Sequence, residues 1–260
     1  MSVIISKRRW LALSLVSAVA QADIIPTAVH VRGVAELAPQ MQLAAERYMT
    51  QNHGASVVVV RGGSVFAMKS LLHGSTDIAM VLGPVPVVIR RDLQAMSPPP
   101  RQWVIGHHML AAVVPVSNPV QEIRLEHLQA IFAGQLTDWS QLGGAPGRIQ
   151  ALVESPEYGL GLAWKEAMVG EQGHLARHAR LVSPQEKLQV LRQTPGGITF
   201  AHASQITPEV RELRVVGAFS GRPGAPIAMP SASLSVWTTG NPTPATQDFL
   251  RTMAAVQVTP

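Results

Sequence analysis

The amino-acid sequence predicts an α/β fold, and three observations indicate it. Short β-prone segments alternate with segments whose apolar residues recur at helical spacing. Residues 56–60 form a β-branched run without polar alternation, which is typical of a parallel strand covered on both faces. Hydrophobic residues make up 47% of the 260-residue chain and charged residues only 14%, so the chain can bury a sizeable core and is not of the disordered class.

The first part of the chain alternates regularly between strand and helix. Residues 28–31 predict a strand that Gly33 ends, and apolar residues at helical spacing predict a helix over 36–50. The second strand, 56–60, is followed by the turn Gly62-Gly63-Ser64 and a helix that Ser64 can cap. Residues 77–81 predict the third strand. This order of elements predicts a parallel sheet.

The rest of the chain continues the alternation. Strands are predicted at 104–105, 110–116, 149–153 and 198–201, and helices at 124–133 and about 159–169. Ser183 and Glu186 have the spacing of a capping box, with Pro184 at the first helical position, so a further helix should begin there. Thr243-Pro244 begins a final helix.

The amino terminus has the features of a secretory signal peptide. Residues 1–22 combine a basic head, an apolar stretch and the small-residue ending Ala20-Gln21-Ala22. A retained anchor is the alternative, but the apolar stretch is too short to span a bilayer as a helix. Cleavage before Asp23 would remove several basic residues and no acidic one, so the net charge of +5 says little about nucleic acid. The mature protein is expected to be periplasmic or secreted.

Several classes of chemistry are excluded or unsupported by the sequence. The chain has no cysteine, which excludes disulfides, thiol catalysis and iron–sulfur clusters. It contains no phosphate-binding P-loop and no complete nucleophile elbow. His174 and His178 are four residues apart without a third ligand, and the adjacent His107-His108 would point to opposite faces of a strand. We therefore expect no enzyme, no metal site and no cofactor.

Two turns suggest where a ligand could bind. Residues 32–35 and 62–65 each follow a strand and open a helix. In parallel sheets ligands bind at the carboxyl ends of strands, where helix N-termini present free N–H groups. Ordinary turns that bind nothing remain the alternative at this point.

A long motif in the middle of the chain resembles a known family. Asn118-Pro119-Val120 is followed at 128–144 by LQAIFAGQLTDWSQLGG, and shorter matches occur at 62–64, 73–79 and 195–198. These segments resemble the substrate-binding proteins of phosphate ABC transporters, which are type II periplasmic binding proteins, from about residue 31 to about 203.

The resemblance implies a two-lobed fold of mixed sheets flanked by helices, joined by two crossover strands. Residues 23–105 and 207–260 would form the first lobe and residues 106–206 the second, with a small-molecule or anionic ligand between them. The implied partner is an inner-membrane ABC permease. We expect a monomer that binds no nucleic acid.

The family's binding residues are carried over one at a time in the first lobe. A threonine or serine in the first turn of the first helix corresponds to Ala35, beside Glu36. The serine that begins the second helix corresponds to Ser64, after Gly63. The aspartate after the second helix corresponds to Asp77, which would accept a hydrogen bond from a protonated oxyanion.

The second lobe departs from the family pattern. An arginine there precedes a Ser-Gly-Thr turn; in this chain the arginine becomes Glu154, the serine Tyr158 and the threonine Leu160, and only Gly159 is retained. An alternative alignment places Ser155 in the turn and restores a hydroxyl but no arginine.

These departures predict a changed ligand. Replacing arginine by glutamate beside a monoanion changes the pair energy by roughly 8 kcal/mol at ~4 Å and an effective dielectric of ~20. The sequence therefore predicts an exported solute-binding protein in which phosphate binding of the usual geometry is weakened. The alternative is a scaffold or interaction protein that kept the fold and lost the phosphate site. An exported hydrolase has almost no support in the sequence.

Overall fold

A computed structural model describes residues 28–217, 225–226 and 229–257. The predicted signal peptide, residues 1–22, lies outside the described residues. The strands are β1 (Ala28–Gly33), β2 (Ser56–Arg61), β3 (Ile78–Leu82), β4 (Arg101–Pro115), β5 (Glu122–Arg124), β6 (Gln150–Val153), β7 (Arg180–Leu181), β8 (Gly197–His202), β9 (Val210–Glu212), β10 (Arg214–Gly217), β11 (Ala225–Pro226) and β12 (Ser231–Thr238).

Seven α-helices lie in the described part of the chain. They are α1 (Ala38–Gln51), α2 (Ser64–Leu72), α3 (Val87–Ala95), α4 (Leu125–Phe132), α5 (Gly159–Val169), α6 (Lys187–Arg192) and α7 (Pro244–Gln257). The 3₁₀ turn Ala35–Leu37 leads into α1, so the predicted helix over 36–50 starts as a tighter turn. Ser183 Oγ accepts from the Glu186 N–H, as the predicted capping box requires, but residues 184–186 form a turn and helix α6 begins at Lys187.

One curled, mixed sheet runs through the molecule. Its strand order is β2-β1-β3-β12-β4-β8-β6-β7, with β9 paired to β4. Strands β2, β1 and β3 are parallel, as the sequence predicts, and β12 returns antiparallel between β3 and β4. A smaller sheet has the order β11-β10-β5.

The position of a strand in the sheet decides its burial. All residues of β3 are buried, because helices cover both faces: α1 and α7 lie on one side and α2 and α3 on the other. Strand β2 is parallel but lies at the sheet edge, where Val58 and Val60 are exposed. The expectation that residues 56–60 are covered on both faces is therefore wrong.

The motif that carries the family resemblance builds the other half of the core. Phe132 packs edge-on against the buried Trp164, and Phe200 stacks on the same indole ring. The Trp139 indole N–H donates to the Gly196 carbonyl oxygen at 3.1 Å, which joins two of the matched segments. Nowhere in the described ranges is a helix long and apolar enough to cross a membrane.

Strand β4 connects the two halves of the sheet. Residues 101–109 of β4 pair with β12, and residues 110–113 pair with β8. After residue 206, β9 still pairs with the end of β4 and β10 pairs with β5, so both lie with the second half. We therefore propose that the lobes divide near residue 109 and again between 217 and 231, later than the sequence predicts.

Candidate functional site

A cavity of about 390 Å³ lies at the carboxyl ends of β1, β2, β3 and β6. Seven of the eight predicted site residues line it: Ala35, Glu36, Gly63, Ser64, Glu154, Tyr158 and Gly159. The lining combines residues from both halves of the sheet, so a molecule in the cavity would contact both. Another cavity of about 400 Å³, between α3, β4 and β12, contains none of the predicted residues.

Three helical segments begin at the cavity without a side-chain cap. The preceding residues are Val34 for the turn into α1, Gly63 for α2 and Tyr158 for α5, and none of these three forms a side-chain cap hydrogen bond in the described structure. The first N–H groups of a helix have no partner inside the helix. A polar or anionic group in the cavity would meet donors from both halves of the molecule.

The hydroxyl of Ser64 is used inside the protein. Its Oγ donates to the Leu82 carbonyl oxygen at 3.0 Å and accepts from the Leu82 N–H at the same distance. Both residues are buried. Ser64 therefore fixes the start of α2 to the end of β3, and the donor that the family resemblance assigns to the ligand is already engaged.

Glu154 forms a buried ion pair that the sequence analysis missed. Its Oε1 lies 2.6 Å from Lys187 Nζ, and the two side chains are 3% and 1% exposed. Burial lowers the pKa of Lys187, while the Glu154 carboxylate opposes that shift. The ammonium also lies 3.7 Å from the centre of the Phe200 ring. The lysine offsets the negative charge of Glu154, which the sequence resemblance aligns with an arginine.

The signal for Lys187 is present in the sequence but faint. Lys187 and Leu191 are four residues apart, share one face of α6 and are both buried. A lysine on the apolar face of a helix is rarely buried without an acidic partner. The partner lies 33 residues earlier, at the end of β6, so only the fold identifies it.

Asp77 does not reach the cavity. It precedes β3, at the amino end of that strand, whereas the cavity lies at the carboxyl end beside Leu82. Asp77 Oδ2 accepts from the His30 N–H at 2.8 Å and lies 3.5 Å from the His30 imidazole. Asp77 therefore does not share the cavity with the other seven predicted residues, and its carboxylate ties β1 to the start of β3.

The two halves touch directly beside the cavity. A Cβ on Gly159 would lie 1.5 Å from the Leu82 carbonyl oxygen, and one on Gly83 would lie 2.3 Å from the Gly159 carbonyl oxygen. Gly83 has a φ of +81°, which favours glycine on its own account. Farther along, Arg90 on α3 pairs with Glu171 after α5. The described conformation is therefore closed, with main chain against main chain.

Each half contributes an exposed aromatic side chain beside the cavity. Tyr158 is 44% exposed and Phe66 is 50% exposed. They line an adjoining cavity of about 270 Å³ that shares Gly63 and Tyr158 with the main one. Arg61 and Glu36 line the main cavity and are exposed.

The histidines do not form a metal centre in the residues the structure describes, where no three acidic or histidine side chains cluster. His108 on β4 instead stacks on His202 with ring centroids 4.1 Å apart. Burial and the neighbouring His202 lower the pKa of His108.

Comparison with known proteins identifies relatives over most of the chain. Residues 20–252 match the model of the PBP superfamily domain. Phosphate-binding protein PstS of Bacillus subtilis (strain 168) is 26% identical over 180 residues, which are 69% of this chain and 58% of the relative. The chain thus spans about three fifths of the length of that relative.

Solved structures share the fold at lower identity. An ABC-type phosphate transport receptor from Vibrio cholerae superposes with a TM-score of 0.70 at 20% identity, covering 88% of this chain and 94% of that one. A putative phosphate ABC transporter substrate-binding protein from Clostridium perfringens, with bound phosphate, superposes with a TM-score of 0.67 at 18% identity. The match covers 87% of this chain and 92% of that one.

Proposed function

The chain belongs to the PBP superfamily and has its two-lobed α/β fold, and from this we propose that it is an exported solute-binding protein. It belongs with solute-binding receptors rather than with enzymes. It would bind a small ligand in the cavity between the lobes and deliver it to an inner-membrane permease. The observation that carries this proposal is a cavity at the strand ends that both halves line and onto which uncapped helix starts open.

The division of the lining residues supports a closing mechanism. Ala35, Gly63 and Ser64 lie in the first lobe, whereas Glu154 and Gly159 lie in the second. A ligand that contacts both lobes binds the closed form better than the open one, so it shifts the population toward closure. A closed, ligand-bound receptor is a shape that a permease can distinguish from the empty one.

Phosphate is disfavoured as the ligand in this proposal. The relatives are named for phosphate, but here Glu154 stands in the place of the family's arginine and the Ser64 hydroxyl is engaged by Leu82. Lys187 offsets the charge of Glu154, so the net repulsion is smaller than the sequence alone predicts. An anionic group would be held mainly by main-chain N–H groups.

A non-transport scaffold is the second candidate. The residues that would supply ligand hydroxyls in the family are Ala35 and Leu160 here, and neither side chain can donate a hydrogen bond. A protein that kept the lobes for contact with another protein would tolerate this loss.

A thermal-shift titration of residues 23–260 separates the two candidates. The panel contains phosphate, sulfate and a set of neutral and cationic solutes. A true ligand at 100-fold its Kd adds about 2.7 kcal/mol, or roughly 5–11 °C for a chain of this size. The shift should vanish in Ala35→Trp, which fills the cavity, and persist in Asp77→Ala, which changes the opposite end of the sheet. No shift with any solute would favour the scaffold.

Export is tested separately. We expect the protein recovered from the periplasmic fraction of an expressing cell to begin at Asp23, as read by intact-mass measurement. A product that keeps residues 1–22 and stays with the membrane would overturn the cleavage prediction.

A further inference from the structure

Resting on the proposed function, we infer that the cavity selects a small organic anion bearing a hydroxyl or ammonium group, rather than an inorganic oxyanion. Glu154 is the residue that would recognise that hydrogen-bond donor.

Glu154 presents an unused acceptor to the cavity. The residue lines the cavity and is more than nine-tenths buried, and its Oε1 accepts from Lys187. Within the described ranges Lys187 bonds Oε1 alone, and Oε2 is not among the fully enclosed side-chain atoms that lack a partner. A carboxylate oxygen that is not fully enclosed can accept a hydrogen bond from a molecule in the cavity. A ligand that donates to Oε2 gains a hydrogen bond to a charged acceptor.

Lys187 turns Glu154 into a fixed acceptor. The ammonium holds Oε1 at 2.6 Å and lies against the Phe200 ring on β8. This contact keeps the carboxylate in place and balances its charge. The ligand therefore needs only a donor at this point and does not have to be a cation overall.

The anionic part of the ligand has its own place in the same cavity. Helices α2 and α5 begin there after Gly63 and Tyr158, neither of which provides a side-chain cap, and Arg61 lies on the lining. These groups come from both lobes and favour negative charge. The lining thus combines a region that favours an anion with an acceptor for a donor group.

The size of the cavity favours an organic molecule. Its volume of about 390 Å³ falls in the range of sites that hold organic ligands. The adjoining 270 Å³ cavity, lined by Phe66 and Tyr158, adds to this space. Inorganic phosphate could offer its proton to Glu154, but one tetrahedral ion would leave most of this space unfilled.

Matched pairs of ligands test the inference without altering the protein. Residues 23–260 are titrated by calorimetry at pH 7.5 with ethanolamine phosphate against ethyl phosphate, glycerol 3-phosphate against propyl phosphate, and glycerate against propionate. Inorganic phosphate and sulfate complete the set. We expect at least one donor-bearing member to bind about 10- to 100-fold more tightly than its partner and than phosphate, as a hydrogen bond to a charged group predicts.

A pair of variants tests the role of Glu154. The double variant Glu154→Leu/Lys187→Met removes the acceptor and the cation together, so no buried charge is left unpaired. Its donor preference should fall below about threefold, whereas Glu46→Gln, at an exposed position on α1 outside the cavity, should keep it. Circular dichroism shows whether each variant is folded. If the double variant does not fold, the titrations of the unaltered protein with the matched ligand pairs test the inference. A preference that survives in a folded double variant would overturn the role of Glu154.

The outcomes separate this inference from the proposed function. Inorganic phosphate binding at least as tightly as every organic probe overturns the inference and leaves the receptor proposal standing. Binding of neutral or cationic solutes alone from the wider panel would also overturn the inference and leave the receptor proposal standing. Failure of every solute overturns both.

Discussion

The replacement Gly159→Ala should prevent the two lobes from closing fully. The added Cβ would lie 1.5 Å from the Leu82 carbonyl oxygen and 2.9 Å from Ser64 Oγ, whereas real Cβ contacts essentially never fall below 3.0 Å. The main chain of one lobe must therefore retreat by about 1.5 Å. Leu82 cannot yield alone, because Ser64 holds both its N–H and its carbonyl oxygen.

The expected cost of this replacement is about 1–3 kcal/mol, the usual range for overpacking a well-packed contact. For a chain of this size that corresponds to a fall in Tm of roughly 2–12 °C. Alanine is the better helix former by at most about 1 kcal/mol, so the helix propensity of position 159 acts in the opposite direction. A net loss of stability therefore reports the clash and not the helix.

Calorimetry and small-angle X-ray scattering check this prediction. Gly147→Ala is the matched control, because a Cβ there meets nothing within 4 Å. We expect Gly159→Ala alone to lower Tm, increase the radius of gyration and reduce the shift given by any ligand of the cavity. If both variants melt and scatter like the unmodified protein, the main-chain contact between the lobes does not hold them closed.

Three further predictions concern buried or stacked polar groups. The variant Lys187→Met should lower the free energy of unfolding in urea by about 3–5 kcal/mol, because it leaves Glu154 unpaired. Adding Glu154→Leu should restore most of that free energy. A double variant as unstable as the single one would show that the pair itself stabilises the fold. The variant Ser64→Ala should lower the free energy of unfolding by about 1–3 kcal/mol, because it leaves the N–H and the carbonyl oxygen of Leu82 unpaired. Lost ligand affinity with unchanged stability would assign the hydroxyl to the ligand instead. The pKa of His108 is lowered in the folded protein, so the unfolded chain binds more protons below about pH 6.5 and stability should fall as the pH drops through that value. The variant His108→Gln should flatten the dependence of Tm on pH. An unchanged dependence would contradict this prediction.

The strand and helix order could be predicted because it depends on local pattern. The segment that becomes β3 is apolar throughout and was expected within one residue of its position. The exposure of β2 was missed because periodicity reports which residues are apolar and not which strand lies at the sheet edge.

Seven of the predicted residues line one cavity, but the sequence did not predict the contacts among them. Gly63 follows β2 in one half and Glu154 follows β6 in the other, and because these strands run in opposite directions, their carboxyl ends face each other across the cavity. Asp77 lies apart from both, as strand direction already implies, since a residue before a parallel strand lies at the opposite edge. The Glu154–Lys187 pair joins residues far apart in sequence, and pairing at that distance follows from tertiary packing alone.

The continuity of β4 limits how the lobes can move. One strand of 15 residues carries the hydrogen bonds to β12 and then to β8, and a register shift in β12 between Leu234 and Ser235 faces its first part. A rotation of one lobe must therefore twist the continuous strand β4, which resists the rotation more than a flexible linker would. We expect opening of the cavity to twist that strand and closure to relieve the twist.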